Sequence, residues 1–348
     1  MKSLKKYVYL NALLRARLSR CLDTREMSAL TGAADMSEVA SLLRGTDYRE
    51  LSALIESGAP LKLIEKALLK IEIGRYRSAL GHARGAVANL IFSLMERYDV
   101  GKVQGLLRLW REKEWGERDS IIEEKICWDI PVDDILKAAS IEEIILLLDA
   151  TPYKKALMAG YERYRRSGQL FPLEVALEAD YFRRLWETIE TLGNLDSSVA
   201  ARIMGIEIDV RNIEILLRLK RSSSLPAGDA RGVLLPGGLH LSEQILVDAY
   251  SSRDARALIA ALRTMPLPPL RSMAGERGTI DQLRLIQALL GEILEREARR
   301  ALGGYPFTIG TVIAYFALVR AEGHALRRIL AGKSLGLPME RIIRSVGI

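Results

Sequence analysis

Histidine, cysteine and aromatic residues are scarce in this chain of 348 residues, which has three His, two Cys and 6% Phe, Trp and Tyr. Cys21 and Cys127 lie far apart with no partner pattern, which argues against a disulfide scaffold and against a cysteine metal site. A reducing, cytoplasmic setting follows as the expectation. His82, His240 and His324 have no second histidine or cysteine at helical ligand spacing, whereas a zinc ion needs about four ligands in reach. His82 and His324 read as helix-surface residues. A phosphate-binding loop is also missing: Gly332-Lys333-Ser334 has Arg327 where that motif requires glycine, and it follows a helix where a strand is needed. Gly101, Gly105 and Gly237-Gly238 form no dinucleotide fingerprint. Neighbouring acids such as Glu123-Glu124 and Glu142-Glu143 diverge on a helix and make no acid–base pair. The expectation is a protein that is not an enzyme, with no cofactor, no metal and no small-molecule substrate.

Long apolar runs are missing as well. The longest uncharged stretch, Ala301 to Val319, is broken by Gly303-Gly304, Pro306 and Thr308, leaving 11 residues from Ile309 onward, and a spanning helix needs about 20. The amino terminus does not resemble a secretion signal. Any membrane contact is therefore expected to be peripheral. Acids are absent from residues 1 to 22, which carry +6, while residues 320 to 348 carry +4; with a net charge of +7, the middle of the chain sums to −3. Basic ends of this kind read either as solvated helix faces or as a docking surface for an acidic partner. The sequence pI of about 9.3 and the excess of Arg over Lys would suit nucleic acid. The acidic middle argues against it, because a groove that tracks phosphates needs a continuous basic stripe.

What the chain does have is apolar content, 49%, at helical spacing. Tyr76, Ala79, Leu80, Ala83, Val87, Leu90, Ile91, Leu94 and Tyr98 step by threes and fours, as do Leu283, Ile286, Leu289, Leu290, Ile293, Leu294, Ala298 and Ala301. Each series predicts an amphipathic helix of five turns or more. Alternating runs of β-branched residues are missing, so the fold is expected to be all-α. Asp129 ahead of Pro131, followed by Asp133 and Asp134, predicts a capped helix start. Ser222-Ser223-Ser224, Pro226 and Gly237-Gly238 predict a loop over 221 to 240.

A repeat underlies these helices. Leu43-x-x-Thr46-x-Tyr48 returns as Leu148-x-x-Thr151-x-Tyr153 and, more loosely, around Thr264. A second element keeps step with it, centred on Asp99, Asp209 and Glu322, so that the threonine-to-acid distance is 53, 58 and 58 residues. Three helical units are expected, at 1–115, 116–225 and 226–348. The threonines are expected to hold turns through hydrogen bonds to backbone, with Tyr48 and Tyr153 folding back on the preceding leucines. Three long units can close into a pseudo-threefold funnel or cup, which would bring the two basic ends together.

Tyr7-x-Tyr9-x-Asn11-Ala12-x-x-Arg15-Ala16, the two Leu-x-x-Thr-x-Tyr segments, Asp209-x-x-Asn212-x-x-x-Leu216-Leu217-Arg218-x-Lys220, Leu235-Pro236-Gly237-Gly238, and the closing Tyr315, Glu322 and Gly332-Lys333 occur in one order. In that order they resemble the C subunit of V-type and archaeal-type ATP synthases, whose eukaryotic V-ATPase counterpart is the d subunit. Two places depart from the family pattern: Ala325-Leu326-Arg327 stands where Asn-Leu-Arg is usual, and Pro266 stands where the other units have tyrosine. The resemblance implies a non-catalytic, all-helical central-stalk socket on the cytoplasmic face of the membrane, in a hetero-oligomeric rotary complex. Its partners would be the proteolipid rotor ring and the central-stalk subunits. It would pass torque between ATP turnover and ion transport. On that reading Arg15, Arg17, Arg327, Arg328 and Lys333 are candidates for gripping acidic partners. A helical-repeat protein that binds nucleic acid or an acidic protein is the alternative.

Overall fold

Threes-and-fours spacing folds as expected: among the residues described by the computed structural model, 2–222, 230–251 and 279–346, every regular element is helical and no strand forms. The chain divides into two compact units, one of Met1–Lys154 with Ala301–Ile348 and the other of Lys155–Arg300.

The first unit begins with α1 (Lys2–Leu18), α2 (Thr24–Gly32), α3 (Met36–Leu43) and α4 (Arg49–Glu56). The long helices α5 (Leu61–His82) and α6 (Gly85–Glu112) follow, then the short α7 (Val132–Lys137) and α8 (Ile141–Leu147). Side chains start three of these helices. Asp23 accepts from the Arg25 and Glu26 amides while Glu26 accepts from the Asp23 amide; Asp35 caps α3 by accepting from the Glu38 amide, and Ser140 caps α8 by accepting from the Glu143 amide. The expected single helix through Tyr76 and Tyr98 is two helices. Gly85 has φ +57, a left-handed conformation that interrupts the run between Ala83 and Gly85 without disturbing the apolar period. The expected cap at Asp129 is also corrected. Pro131 directly precedes α7 and no side chain caps it, although Asp133 and Asp134 do lie in the first turn.

The last part of the chain returns to this unit as α14 (Gly310–Ser334) and α15 (Met339–Val346), after the intervening helices described below. Leu326, Ile329, Leu330 and Ile342 share one core with Leu30, Leu43, Tyr48, Leu51, Ile64 and Leu68. Each such fully buried leucine or isoleucine contributes about 1.5–3 kcal/mol. α14 also packs against α1 and α5, with Phe316 stacked on Tyr76 at 3.8 Å between ring centroids. Both ends of the chain therefore belong to one unit.

The second unit holds most of α9 (Tyr153–Ser167), whose first two residues belong to the first unit, then α10 (Phe171–Glu190), α11 (Asn194–Ser222), α12 (Glu243–Ser251) and α13 (Thr279–Gly303) up to Arg300. α10 and α12 each pack on α11, burying Leu173, Leu177, Leu185, Ile203, Ile206 and Leu216. The described part of the 221–240 loop lies inside this unit.

Both described threonine turns form as expected. The Thr46 hydroxyl donates to the Leu43 carbonyl at 2.8 Å and accepts from the Tyr48 amide at 3.1 Å. Thr151 donates to the Leu148 carbonyl at 2.8 Å and accepts from the Tyr153 amide at 3.2 Å. Tyr48 and Tyr153 are fully buried. Thr264 lies outside the described residues. Thr151→Val keeps the volume but strips the turn of both bonds, so urea unfolding should show a loss of about 1–3 kcal/mol; an unchanged midpoint would remove the threonine's role.

Candidate functional site

A buried carboxylate in the middle of a long helix recurs three times, each time holding backbone that arrives from elsewhere. On α6, Asp99 accepts from the Cys127 amide at 3.1 Å and the Trp128 amide at 2.9 Å through Oδ2. On α11, Asp209 accepts from the His240 amide at 2.8 Å and the Leu241 amide at 3.2 Å. On α14, Glu322 accepts from the Leu22 amide at 2.6 Å. Leu22, Cys127 and His240 each stand 24 residues before the repeat threonine that follows them. An extended segment has amides with no partner of its own, and a carboxylate satisfies them with charge-assisted bonds. Gly238 lets the segment approach: a Cβ there would lie 2.2 Å from Asp209 Oδ1.

The residue one turn after the acid reinforces two of these clasps. Lys102 donates to the Glu123 carbonyl at 3.1 Å, and Asn212 exchanges a pair of bonds with Leu235, giving to its carbonyl at 2.9 Å and taking from its amide at 2.8 Å. Ala325 holds this place on α14. There, a cation does the work instead: Arg75 of α5 donates to Glu322 at 2.6 Å, with its guanidinium 5.0 Å above the Tyr48 ring.

Charge separates the three clasps. Burial pushes the Asp99 carboxyl up to about 6, against the pull of the Trp128 and Cys127 amides and of Lys102, while the Tyr153 hydroxyl donates to it at 3.3 Å. Burial pushes Asp209 further, to about 7, opposed by backbone amides alone. Next to Glu322, burial and then that carboxylate push the Cys21 thiol up to about 12, which leaves it an unreactive thiol at neutral pH.

The five cations singled out in the sequence fall in different settings. Arg15 donates to Asn11 at 2.7 Å and to the Leu302 carbonyl, and Arg17 donates to the Ser78 hydroxyl. Arg327 pairs with Glu72, a carboxyl only 2% exposed, and Lys333 donates to the Ala33 carbonyl. Arg328 is exposed. Arg327 and Lys333 thus direct donors into the first unit. Sequence reading missed Glu72, the partner of Arg327, and also Arg75; the available signal was an acid and an arginine set within the apolar stripe Leu68, Ile73, Tyr76 of α5. Among the described residues no group of three or more His, Cys, Asp or Glu could hold a metal ion. An open hollow of about 320 Å³, lined by Arg118, Glu123, Pro131, Asp133 and Asp134, presents an ion-paired arginine and no nucleophile.

These features define a class: an all-helical protein whose distant segments are joined by buried carboxylates. The particular family is given by the sequence, for residues 10–344 match the ATP synthase (C/AC39) subunit family, and the chain belongs to it. It is similar to the C subunit of the A-type ATP synthase of Methanothermobacter thermautotrophicus, with 24% identity over 94% of this chain and 84% of that one. It is also similar to the proteins of that name from Haloquadratum walsbyi, at 27% identity over 96% of each chain, and Haloferax volcanii, at 26% over 96% and 95%.

Two outcomes are expected of variants. Asp209 has a folded pKa near 7 against an ordinary 3.8, so the folded state holds the proton more tightly. The stability of the parent relative to Asp209→Asn should fall as pH rises from about 4 to about 7 and then level off, in urea unfolding at a series of pH values; a flat difference contradicts a buried, charge-penalised acid. Arg327→Met should cost about 3 kcal/mol by stranding buried Glu72, and adding Glu72→Met should recover much of it. Thermal unfolding of the single and double variants checks both halves.

Proposed function

We propose that this chain is the non-catalytic central-stalk socket of an A-type ATP synthase, seated on the cytoplasmic face of the membrane between the axle and the proteolipid rotor ring. The observation that carries the proposal is the set of three carboxylate clasps. The acid of the first repeat (1–115) holds the start of the second (116–225), the acid of the second holds the start of the third (226–348), and Glu322 of the third holds Leu22 of the first. A chain whose last repeat grips its first is suited to close as a pseudo-threefold funnel. Closure serves torque, because a closed ring of close-packed helices has no free end to yield under load. Family membership supports the same reading, since its relatives are named as C subunits of A-type ATP synthases.

No helix of the described residues is long and apolar enough to cross a membrane, in keeping with a peripheral seat. For the interface we propose Arg15, Arg17 and Arg328 against acidic residues of the ring or stalk. Arg327 and Lys333 would serve that interface by fixing α14 against Glu72 and Ala33. ATP turnover and ion transport would lie in the partner subunits.

Affinity purification of the tagged chain from gently solubilised membranes of its host should recover a proteolipid ring protein together with stalk subunits. Recovery of nucleic acid or unrelated soluble proteins, with no membrane component under several detergents, would overturn the socket and favour a free-standing helical-repeat binder.

A further inference from the structure

Three stretches of the chain contain no Asp or Glu, residues 1–22, 73–95 and 301–321, and together they hold ten Lys or Arg. The first unit brings them together around α1. Tyr9 meets His82 at 5.4 Å between ring centroids, Arg17 donates to Ser78, and Asn11 and Arg15 donate to the Pro306 and Leu302 carbonyls. Arg75 turns inward to Glu322, whereas Arg15, Arg17, Arg77 and Arg84 bond neutral oxygens. Arg15 and Arg17 bond amide, carbonyl and hydroxyl oxygens, and Arg84 bonds the Gly81 and Ala83 carbonyls. In the second unit Arg183, Arg184, Arg202, Arg211, Arg218 and Arg231 pair with carboxylates, while Arg163 and Arg166 donate to backbone carbonyls.

The outward face of α1 adds apolar surface to this charge. Tyr7, Leu10, Asn11 and Leu14 face the core, while Val8 is 51% and Tyr9 62% exposed, with Ala12 and Ala16 exposed along the same outer face. Tyr305, 62% exposed, follows the Leu302 carbonyl that Arg15 binds. A helix with its polar contacts turned inward and Val, Tyr and Ala turned outward has no reason to face bulk water.

We propose that this acid-free face of the first unit, centred on α1, binds anionic phospholipid headgroups at a membrane surface. These three stretches offer positive charge and no carboxylate, and the exposed Val8, Tyr9 and Tyr305 beside them favour a headgroup layer over an acidic protein surface, with Arg15 and Arg17 open to either. A headgroup layer is uniformly negative and asks only for density of positive charge, with tyrosines suited to its depth. The face requires only this chain, so lipid binding and the rotor-socket reading can fail separately.

Flotation of the full-length chain with vesicles of 30% phosphatidylglycerol in phosphatidylcholine, and with pure phosphatidylcholine, tests this. Binding is expected to the anionic vesicles alone, and to weaken as salt is raised. Arg20→Gln with Arg84→Gln, two exposed positions, should lower the partition coefficient about thirtyfold, at roughly fivefold for each cation. Tyr9→Ser should lower it further, and Arg165→Gln with Arg166→Gln in the second unit should leave it unchanged. Far-UV helicity equal to the parent keeps each comparison interpretable. Equal binding to neutral vesicles, no binding at low salt, or an Arg20/Arg84 variant that binds as the parent does would overturn the proposal. Loss of co-purifying membrane proteins in that variant, without any vesicle binding by the parent, would overturn it in favour of an acidic protein partner.

Discussion

The structure depends on one interaction, a carboxylate buried in a long helix and bonded to the backbone amides of a distant segment. Ionised carboxylates are costly to bury, and they persist where charge-assisted hydrogen bonds compensate. Helix–helix packing alone tolerates sliding along ridges and grooves. An amide held at 2.6–3.2 Å does not slide, so Asp99, Asp209 and Glu322 set the register at which Cys127, His240 and Leu22 join the helices. Where the neighbouring position offers no polar side chain, as at Ala325, a cation from α5 takes over. Arg75 pairs with Glu322, while Asp209 has amides alone and is pushed up to about 7 by burial.

Charge is organised differently in the two compact units. In the second, Arg183, Arg184, Arg211 and Arg218 lie beside acids of the same or a neighbouring helix, which cancel their charge locally. The first buries the pairs Glu72–Arg327 and Glu322–Arg75, carries others at its surface such as Arg44–Glu56 and Arg118–Asp133, and leaves Arg15 and Arg17 of α1 on neutral oxygens. Internal pairs confer specific geometry on the unit shared by the two chain ends. Outer cations on neutral oxygens produce a field that extends about a Debye length, roughly 8–10 Å at physiological salt.

Much of this was readable in advance, and the particular successes share a cause. Thr46 and Thr151 make turns whose bonds span two or three residues, so the local sequence carries the whole interaction. Apolar spacing marked the helices because burial follows the helical period. The same period concealed the break at Gly85, since the apolar stripe continues across it and only the left-handed backbone interrupts the helix. Asp129 resembled a cap because its neighbours suited one, yet Pro131 takes the adjoining position. Glu72 and Arg75 were passed over because their partners lie some 250 residues away, at Arg327 and Glu322.

By itself, the sequence determined the helical class, the repeat period, the two described threonine turns, the acid-free stretches and the family to which the chain belongs. All of these are recorded in local spacing or in ordered motifs. Tertiary structure decided what the repeated acids hold, which arginines turn inward to acids and which rest on neutral oxygens, and that the last two helices share a core with α2 to α5. Those outcomes follow from distances between groups far apart in the chain. A buried carboxylate has no stable state without a partner, but its identity in the sequence does not say which amide or guanidinium will reach it.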